Sequence, residues 1–392
     1  MSMFYRVSTA VISPALVTDL GFTNAELSDL AAVFFYAFAL SQIPIGLALD
    51  RLGSRITMMF LGAAAVAGAL LFALGTTPDH LILARALLGI GMSGNLMVVY
   101  ALLAVWFPLD RFAFLGGLLV SIGSAGSLLA ATPLTLLSIS VGWRTSFLIF
   151  AAVNAAVVTT FVVVVRDRPH SYAPLALTPR SSVGGLKRLF GMYSYWAISF
   201  SQFVRYGYFT ALQSLWAAPF FVYGLGLDEI QASNAILSMG LGYMISLPLS
   251  GSISDIVLQS RKKVVLSTMS GFCLLTLSVS WWTQATPVWL VMVTFFGLGM
   301  MAAPGQIMYA HIKELLPSSL MAQAITAVNF FTVLGVGVMT HVLGRVIGLE
   351  PSDLAGPSDF RMVWYVGVMA LGLVCMLYGM VPESPAFRNK DS

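Results

Sequence analysis

Charge is scarce in this chain. Asp, Glu, Lys and Arg make up 9% of its 392 residues while 58% are hydrophobic, a balance that excludes a water-soluble domain of this length. Cysteine is scarcer still: Cys273 and Cys375 both sit in apolar stretches, so no disulfide framework exists and each reads as a small buried hydrophobe. His80, His170, His311 and His341 are scattered without metal-ligand spacing, so each reads as a loop or packing residue, and no metal or cofactor is expected. No phosphate-cradling Gly-rich loop ending in Lys-Ser or Lys-Thr is present, which excludes nucleotide-driven pumping on this chain; no enzyme chemistry is assembled either. Deep carboxylates are also missing. Asp19, Glu26, Asp29, Asp228, Glu229 and Asp353 flank one set of apolar ends, and Asp50, Asp110, Asp167, Asp255 and Glu314 flank the other. Their placement disfavours proton symport through a buried acid relay and leaves antiport, facilitated diffusion or a proton carried with the transported solute.

What is present is a repeat. The segment Gly46-Leu-Ala-Leu-Asp50-Arg51-Leu-Gly53-Ser-Arg55 returns as Gly251-Ser-Ile-Ser-Asp255, and Gly21 returns as Gly226, each 205 positions on. An internal repeat of this size in an apolar chain is the signature of a secondary transporter whose substrate lies near the bilayer midplane. Apolar runs long enough to cross about 30 Å of hydrocarbon are expected near 30–49, 56–75, 82–106, 112–138 and 143–165. The second half supplies 193–223, 233–253, 264–283, 287–310, 320–346 and 362–380. These are eleven spans, and residues 3–17, bounded by Asp19, form a twelfth that is too short to cross alone. Mapping the helix that begins near Tyr193 back by the repeat offset places its counterpart's start before Met1, so a truncated N-terminus is expected.

Basic residues set the expected orientation. Arg51, Arg55, Arg111, Arg166, Arg168, Arg180, Lys187, Arg188, Arg261, Lys262, Lys263, Lys313, Arg388 and Lys390 fall on one side, and only Arg144, Arg345 and Arg361 on the other. The first side is therefore expected to be cytoplasmic, together with the C-terminus. The net charge of +4 is spread over short loops, reporting topology and no nucleic-acid partner. The expected organisation is a six-helix bundle over 1–168, a basic linker over 169–190, a second bundle over 191–385 and a tail over 386–392.

Arg6, Arg85 and Arg205 fall inside apolar spans. A cation there costs at least about 2.5 kcal/mol and must face a cavity or a partner. Without a buried acid to pair with, an anionic solute would supply the partner, using the planar donor set of guanidinium. Polar residues able to complete a pocket are Tyr36, Asn95, Gln202, Gln213, Gln306, Tyr309 and Asn329, though each is equally able to bond across helices. Trp196, Phe200, Trp216 and Phe220 either line a pathway for a larger apolar compound or face lipid, the commoner case. Glycines such as Gly116, Gly117, Gly123, Gly126, Gly335 and Gly337 permit close helix packing.

The Gly46–Arg55 segment resembles the signature between helices two and three of the major facilitator superfamily. Arg85-Ala-Leu-Leu-Gly89-Ile-Gly91 resembles its fourth-helix motif, and Trp143-Arg144 the start of its sixth helix. The resemblance covers essentially the whole chain and implies an all-α membrane fold of two pseudo-symmetric six-helix bundles working by alternating access. It also implies that Asp50, Arg51 and Arg55 gate and do not bind substrate. Asp255 and Arg261 are expected to hold the same access state with them. Arg85, grouped with these gating residues, is expected mainly to hydrogen-bond neighbouring helices, with proton coupling as the alternative. Within the superfamily the chain is most similar to the organophosphate and organic-anion antiporters. That group carries a helix-one arginine with a proline eight residues on, as in Arg6 and Pro14, and a helix-seven arginine in an Arg-Tyr-Gly context, as in Arg205-Tyr206-Gly207. The resemblance implies that these two arginines clamp an anion. The chain departs from the group at Gln42, where a lysine is usual, and has no histidine on helix five, leaving phosphate as the ligand open. The expected activity is transport of a small organic anion, a carboxylate or phosphate ester, by a monomer in a bacterial cytoplasmic membrane. The alternatives are an efflux carrier for a drug-like or siderophore-like compound, and a non-transporting receptor on a carrier fold.

Overall fold

The computed structural model describes residues 1–107, 109–167, 188–316, 320–347 and 356–384. The expected linker from 169 to 187 and the tail from 386 lie outside the described residues, as do the side chains of Asp50, Asp110 and Arg111. Among the described residues every regular element is helical. Among these residues eight helices are long and apolar enough to cross a membrane, or nine if a bent pair counts as one span. The chain separates into two compact units, Met1–Ala176 and Leu177–Ser392.

In the first unit, α1 (Ser2–Leu20) runs past the expected limit at residue 17 and stops at Gly21, whose φ of 65° is left-handed. At about 1.5 Å per residue its 19 residues rise roughly 28 Å, longer than the short span expected. Asp19 does not end the helix because its carboxylate accepts a 2.8 Å hydrogen bond from the Trp143 indole. Helix α2 (Asn24–Leu74) begins earlier than the apolar pattern indicates. A reciprocal capping box between Thr23 and Glu26 satisfies its polar first turn. The two spans within α2 meet at Gly53, where φ 79° and ψ 174° are open only to glycine without strain. Then follow α3 (Pro78–Ser93), α4 (Asn95–Trp106) and α5 (Leu109–Leu129). Next come α6 (Thr132–Val141), which closes the expected 112–138 span after a 43° bend, and α7 (Trp143–Val164).

In the second unit, α8 (Tyr193–Ala211) continues through π-helical turns at Leu212–Trp216 and Phe220–Gly224. Next come α9 (Glu229–Ser252), prolonged by a π-helical Ile253–Val257, and α10 (Arg261–Val279). A 3-10 segment, Ala303–Gln306, interrupts the following span and splits it into α11 (Val288–Ala302) and α12 (Ile307–Leu315). Helices α13 (Met321–Ile347) and α14 (Arg361–Gly379) complete the unit.

The aromatic residues of the first span divide by position. Trp196 and Phe200 are exposed, as lipid-facing residues would be. Trp216 and Phe220 are buried, which corrects the lipid-facing expectation for that pair. The Trp216 indole donates to Thr340 O at 2.9 Å, and Phe220 packs edge-on to Trp364 with ring centres 4.8 Å apart. The cysteines are half-buried, not buried as expected: Cys273 Sγ lies 3.6 Å from Val368 O and Cys375 Sγ 3.7 Å from Ser270 Oγ.

Candidate substrate-binding site

Arg205 projects from the middle of α8 and is fully buried. Its Nη2 donates to Gln202 Oε1 at 2.7 Å, and Gln202 Nε2 donates to Gly305 O at 2.9 Å. Gln202 lies one turn before Arg205 on the same helix face, and Gly305 lies within the 3-10 break of the facing span. Nε and Nη1 of Arg205 have no hydrogen-bond partner among the described residues. The phenols of Tyr243, Tyr309, Tyr206 and Tyr378 lie close enough to interact electrostatically with the guanidinium. Gln306 Nε2 donates to the Tyr243 hydroxyl at 3.1 Å, while the Tyr309 hydroxyl sits 3.0 Å from Thr332 Oγ1 and 3.4 Å from Asn329 Oδ1.

The structure thus gathers Arg205, Gln202, Gln306, Tyr309 and Asn329 into one polar cluster within an apolar unit. It adds Tyr243 and Gly305, which sequence reasoning missed; the Pro304-Gly305 pair inside an apolar run was the available signal. Gln213, buried in the π-helical turn farther along the span, has none of these bonds.

In the first unit Arg6 is buried with its guanidinium 4.6 Å from the centre of the Phe38 ring. Tyr36 is half-buried on α2, and Asn95 Nδ2 lies 3.3 Å from Met92 Sδ beside the α3–α4 break. Arg85, also fully buried, ties helices together: Nη1 donates to Tyr5 O at 2.6 Å, Nε reaches Leu30 O at 3.4 Å, and the guanidinium lies over Phe34 at 4.6 Å. These carbonyls belong to α1 and α2, so Arg85 braces three helices.

Charged residues form a cluster at one end of each unit. In the first, the Arg55 backbone N–H donates to Asp167 Oδ1 at 2.8 Å and its Nε to Val162 O at 2.6 Å; Arg51 is exposed. In the second, Arg261 bonds Asp255, Ser254 Oγ at 2.9 Å and Glu314 Oε1 at 2.9 Å. Glu383 accepts from the backbone N–H of Arg261 at 3.1 Å and of Lys262 at 3.3 Å, and from the Ser260 hydroxyl. Asp167 and Glu383 each follow the last helix of their unit and cap the helix after the repeated segment. Neither role was anticipated.

The sequence profile of the Major Facilitator Superfamily matches residues 1–338. The chain belongs to that superfamily. That family is one of membrane transporters and not of enzymes, and the apolar helices of this major facilitator protein are those of a multi-pass membrane protein. It is 22% identical to the probable sulfoacetate transporter SauU of Cupriavidus necator, over 46% of this chain and 42% of that protein. It is 27% identical to a putative tartrate transporter of Agrobacterium vitis, over 42% of this chain and 38% of that one. The matched stretches therefore span less than half of those two relatives. Its fold resembles a bacterial homologue of the human lysosomal transporter Spinster, with TM-score 0.76, 17% identity and coverage of 99% and 95% of the two chains. It also resembles the D-xylose-proton symporter, with TM-score 0.78, 16% identity and coverage of 98% and 96%.

The second charge cluster gives this protein an acid-sensitive element. Burial pushes the Glu383 carboxyl up, but the Ser260 hydroxyl and the backbone N–H groups of Ser384 and Lys262 outweigh it, so the group titrates below its usual 4.5. A depressed folded value means that the stabilisation is complete above about pH 4.5 and is lost as pH falls through the folded value. The thermal midpoint should fall on that acid limb, with a shallower slope in Glu383→Gln. An unchanged slope in the variant would assign the acid sensitivity to other groups.

Proposed function

We propose that this protein moves a small organic anion across the membrane by alternating access, with Arg205 as the main binding residue. The fully buried Arg205 guanidinium, with Nε and Nη1 unbonded and no ion pair among the described residues, carries the reading. A cation held there is costly unless an oxyanion completes its donors. Gln306, Tyr309, Asn329 and Tyr243 supply neutral hydrogen-bonding groups around it, suited to the polar remainder of a carboxylate, sulfonate or phosphate ester. Arg6 is the second cation assigned to substrate binding. The names of the sulfoacetate and tartrate transporters support the same chemical class. The gating assignment of Asp50, Arg51, Arg55, Arg85, Asp255 and Arg261, the monomeric state, and residence in a bacterial cytoplasmic membrane with a cytoplasmic C-terminus belong to the same proposal.

The test is thermal stabilisation of the purified protein by sulfoacetate, tartrate, a sugar phosphate and cationic drugs, followed by uptake into liposomes. The expected result is stabilisation by at least one of the anions and saturable flux of the same compound. Stabilisation by cationic drugs alone would overturn the anion reading and favour an efflux carrier. Anion binding without flux would favour a receptor.

A further inference from the structure

We propose that Gly305 and Gln202 are positioning residues that fix the plane and direction of the Arg205 guanidinium; their effect on transport rests on the anion reading above. A Cβ built on Gly305 would fall on the guanidinium itself: its three nearest atoms are Cζ, Nη2 and Nε of Arg205, all in overlap. Any residue but glycine at this position therefore excludes the observed placement of the charge. The three nearest atoms all belong to the tip of a long side chain, so alanine is accommodated by swinging the guanidinium away.

Gly305 also acts through its carbonyl. That oxygen accepts from Gln202 Nε2, which turns Gln202 Oε1 toward Arg205 Nη2. The Gln202 amide is thus held with its acceptor facing the cation and its donor facing the break. One Nη2 hydrogen is engaged in this way. The second Nη2 hydrogen, paired with either Nε–H or an Nη1 hydrogen, forms a two-donor fork matched to two oxygens of a carboxylate, sulfonate or phosphate. The 3-10 segment at Ala303–Gln306 carries the glycine and the carbonyl that meet this guanidinium and its Gln202 partner from another helix.

The experiment is a double-mutant cycle on the full-length protein with two readouts. The first, independent of any anion, is thermal unfolding of wild type, Gly305→Ala, Arg205→Ser and the double variant. The stability change caused by Gly305→Ala should vanish in the Arg205→Ser background, because the guanidinium it displaces is gone. An equal change in both backgrounds would overturn the proposal, since it would show a packing defect unrelated to Arg205. The second readout is the concentration of sulfoacetate and of tartrate required for stabilisation and for half-maximal uptake. Gly305→Ala should raise it at least tenfold with little change in maximal rate. Gln202→Glu should abolish the response, because a carboxylate in that position competes with the anion for the same donors. Unchanged anion affinity in Gly305→Ala, with Arg205→Ser inactive, would sink the positioning role and leave the anion reading intact. If neither anion acts on wild type while the thermal cycle still shows coupling, the anion reading fails and the contact between Gly305 and Arg205 stands.

Discussion

Arg205→Met is expected to abolish anion-induced stabilisation and uptake while leaving the ligand-free protein at least as stable as wild type. The two halves of this expectation have one cause. In the structure the guanidinium is fully buried in an apolar unit, held by its side-chain bond to Gln202, with Nε and Nη1 unbonded among the described residues. Replacing it by an apolar chain of similar length removes a desolvation cost of at least about 2.5 kcal/mol and forfeits only that one bond. With an oxyanion bound, the balance reverses. Two charge-assisted hydrogen bonds at about 1.5–3 kcal/mol each amount to roughly a hundredfold or more in affinity. Arg205→Lys should fall between, because an ammonium keeps the charge but lacks the planar fork. The measurement is thermal unfolding with and without sulfoacetate and tartrate, paired with liposome uptake. Anion affinity in the methionine variant within about threefold of wild type would remove Arg205 from the binding site, since one lost charge-assisted bond already exceeds that factor.

The membrane fold was legible because its causes are written locally. Apolar runs report spans directly, and the return of Gly46 and Asp50 as Gly251 and Asp255 exposes the duplication. Errors fell where polar groups find partners that sequence spacing does not display. Asp19 looked like the end of a helix, yet the Trp143 indole, far along the chain, satisfies its carboxylate and lets α1 continue. The first turn of α2 lay outside the expected 30–49 span because Thr23 and Glu26 are polar, although their spacing is that of a capping box. In the candidate site, Arg205, Gln202, Gln306, Tyr309 and Asn329 were identifiable as polar residues in apolar spans. Gly305 was not, because its contribution is the volume it leaves free for a side chain about a hundred positions earlier, a tertiary fact with no periodic signature. Asp167 and Glu383 escaped notice for a related reason. Each follows a helix and reads as an ordinary flanking charge, while the helix N-terminus it caps lies more than a hundred residues away.

Arg261→Ala is expected to cost the folded protein about 2–4 kcal/mol, below the 3–5 kcal/mol typical when a fully buried pair loses a member. The guanidinium is mostly sheltered, with 13% of its side-chain surface exposed, and its stronger partner Glu314 is at 24%. Removing it leaves Glu314, Asp255 and Glu383 as three carboxylates around one corner, with Ser254 deprived of its donor. The Asp255 contact adds little, since that side chain is 55% exposed and an ion pair so wet is worth about 0–1 kcal/mol. Asp255→Asn should therefore be nearly silent in stability, and Arg261→Lys should recover only part of the loss, because one ammonium cannot bridge to Glu314 through two donors. Helix α10 makes the cluster more consequential. Its first turn carries Arg261, Lys262 and Lys263 at the positive end of the helix dipole, an unfavourable arrangement by charge alone. Glu383, accepting from the first two backbone N–H groups, offsets it and fixes where the helix begins. Denaturant unfolding of the three variants decides the matter. Equal losses in Asp255→Asn and Arg261→Ala would locate the stabilisation in the exposed pair and contradict the burial argument. A large loss confined to Arg261→Ala would identify Glu314 as the partner that holds the end of α12 against the start of α10.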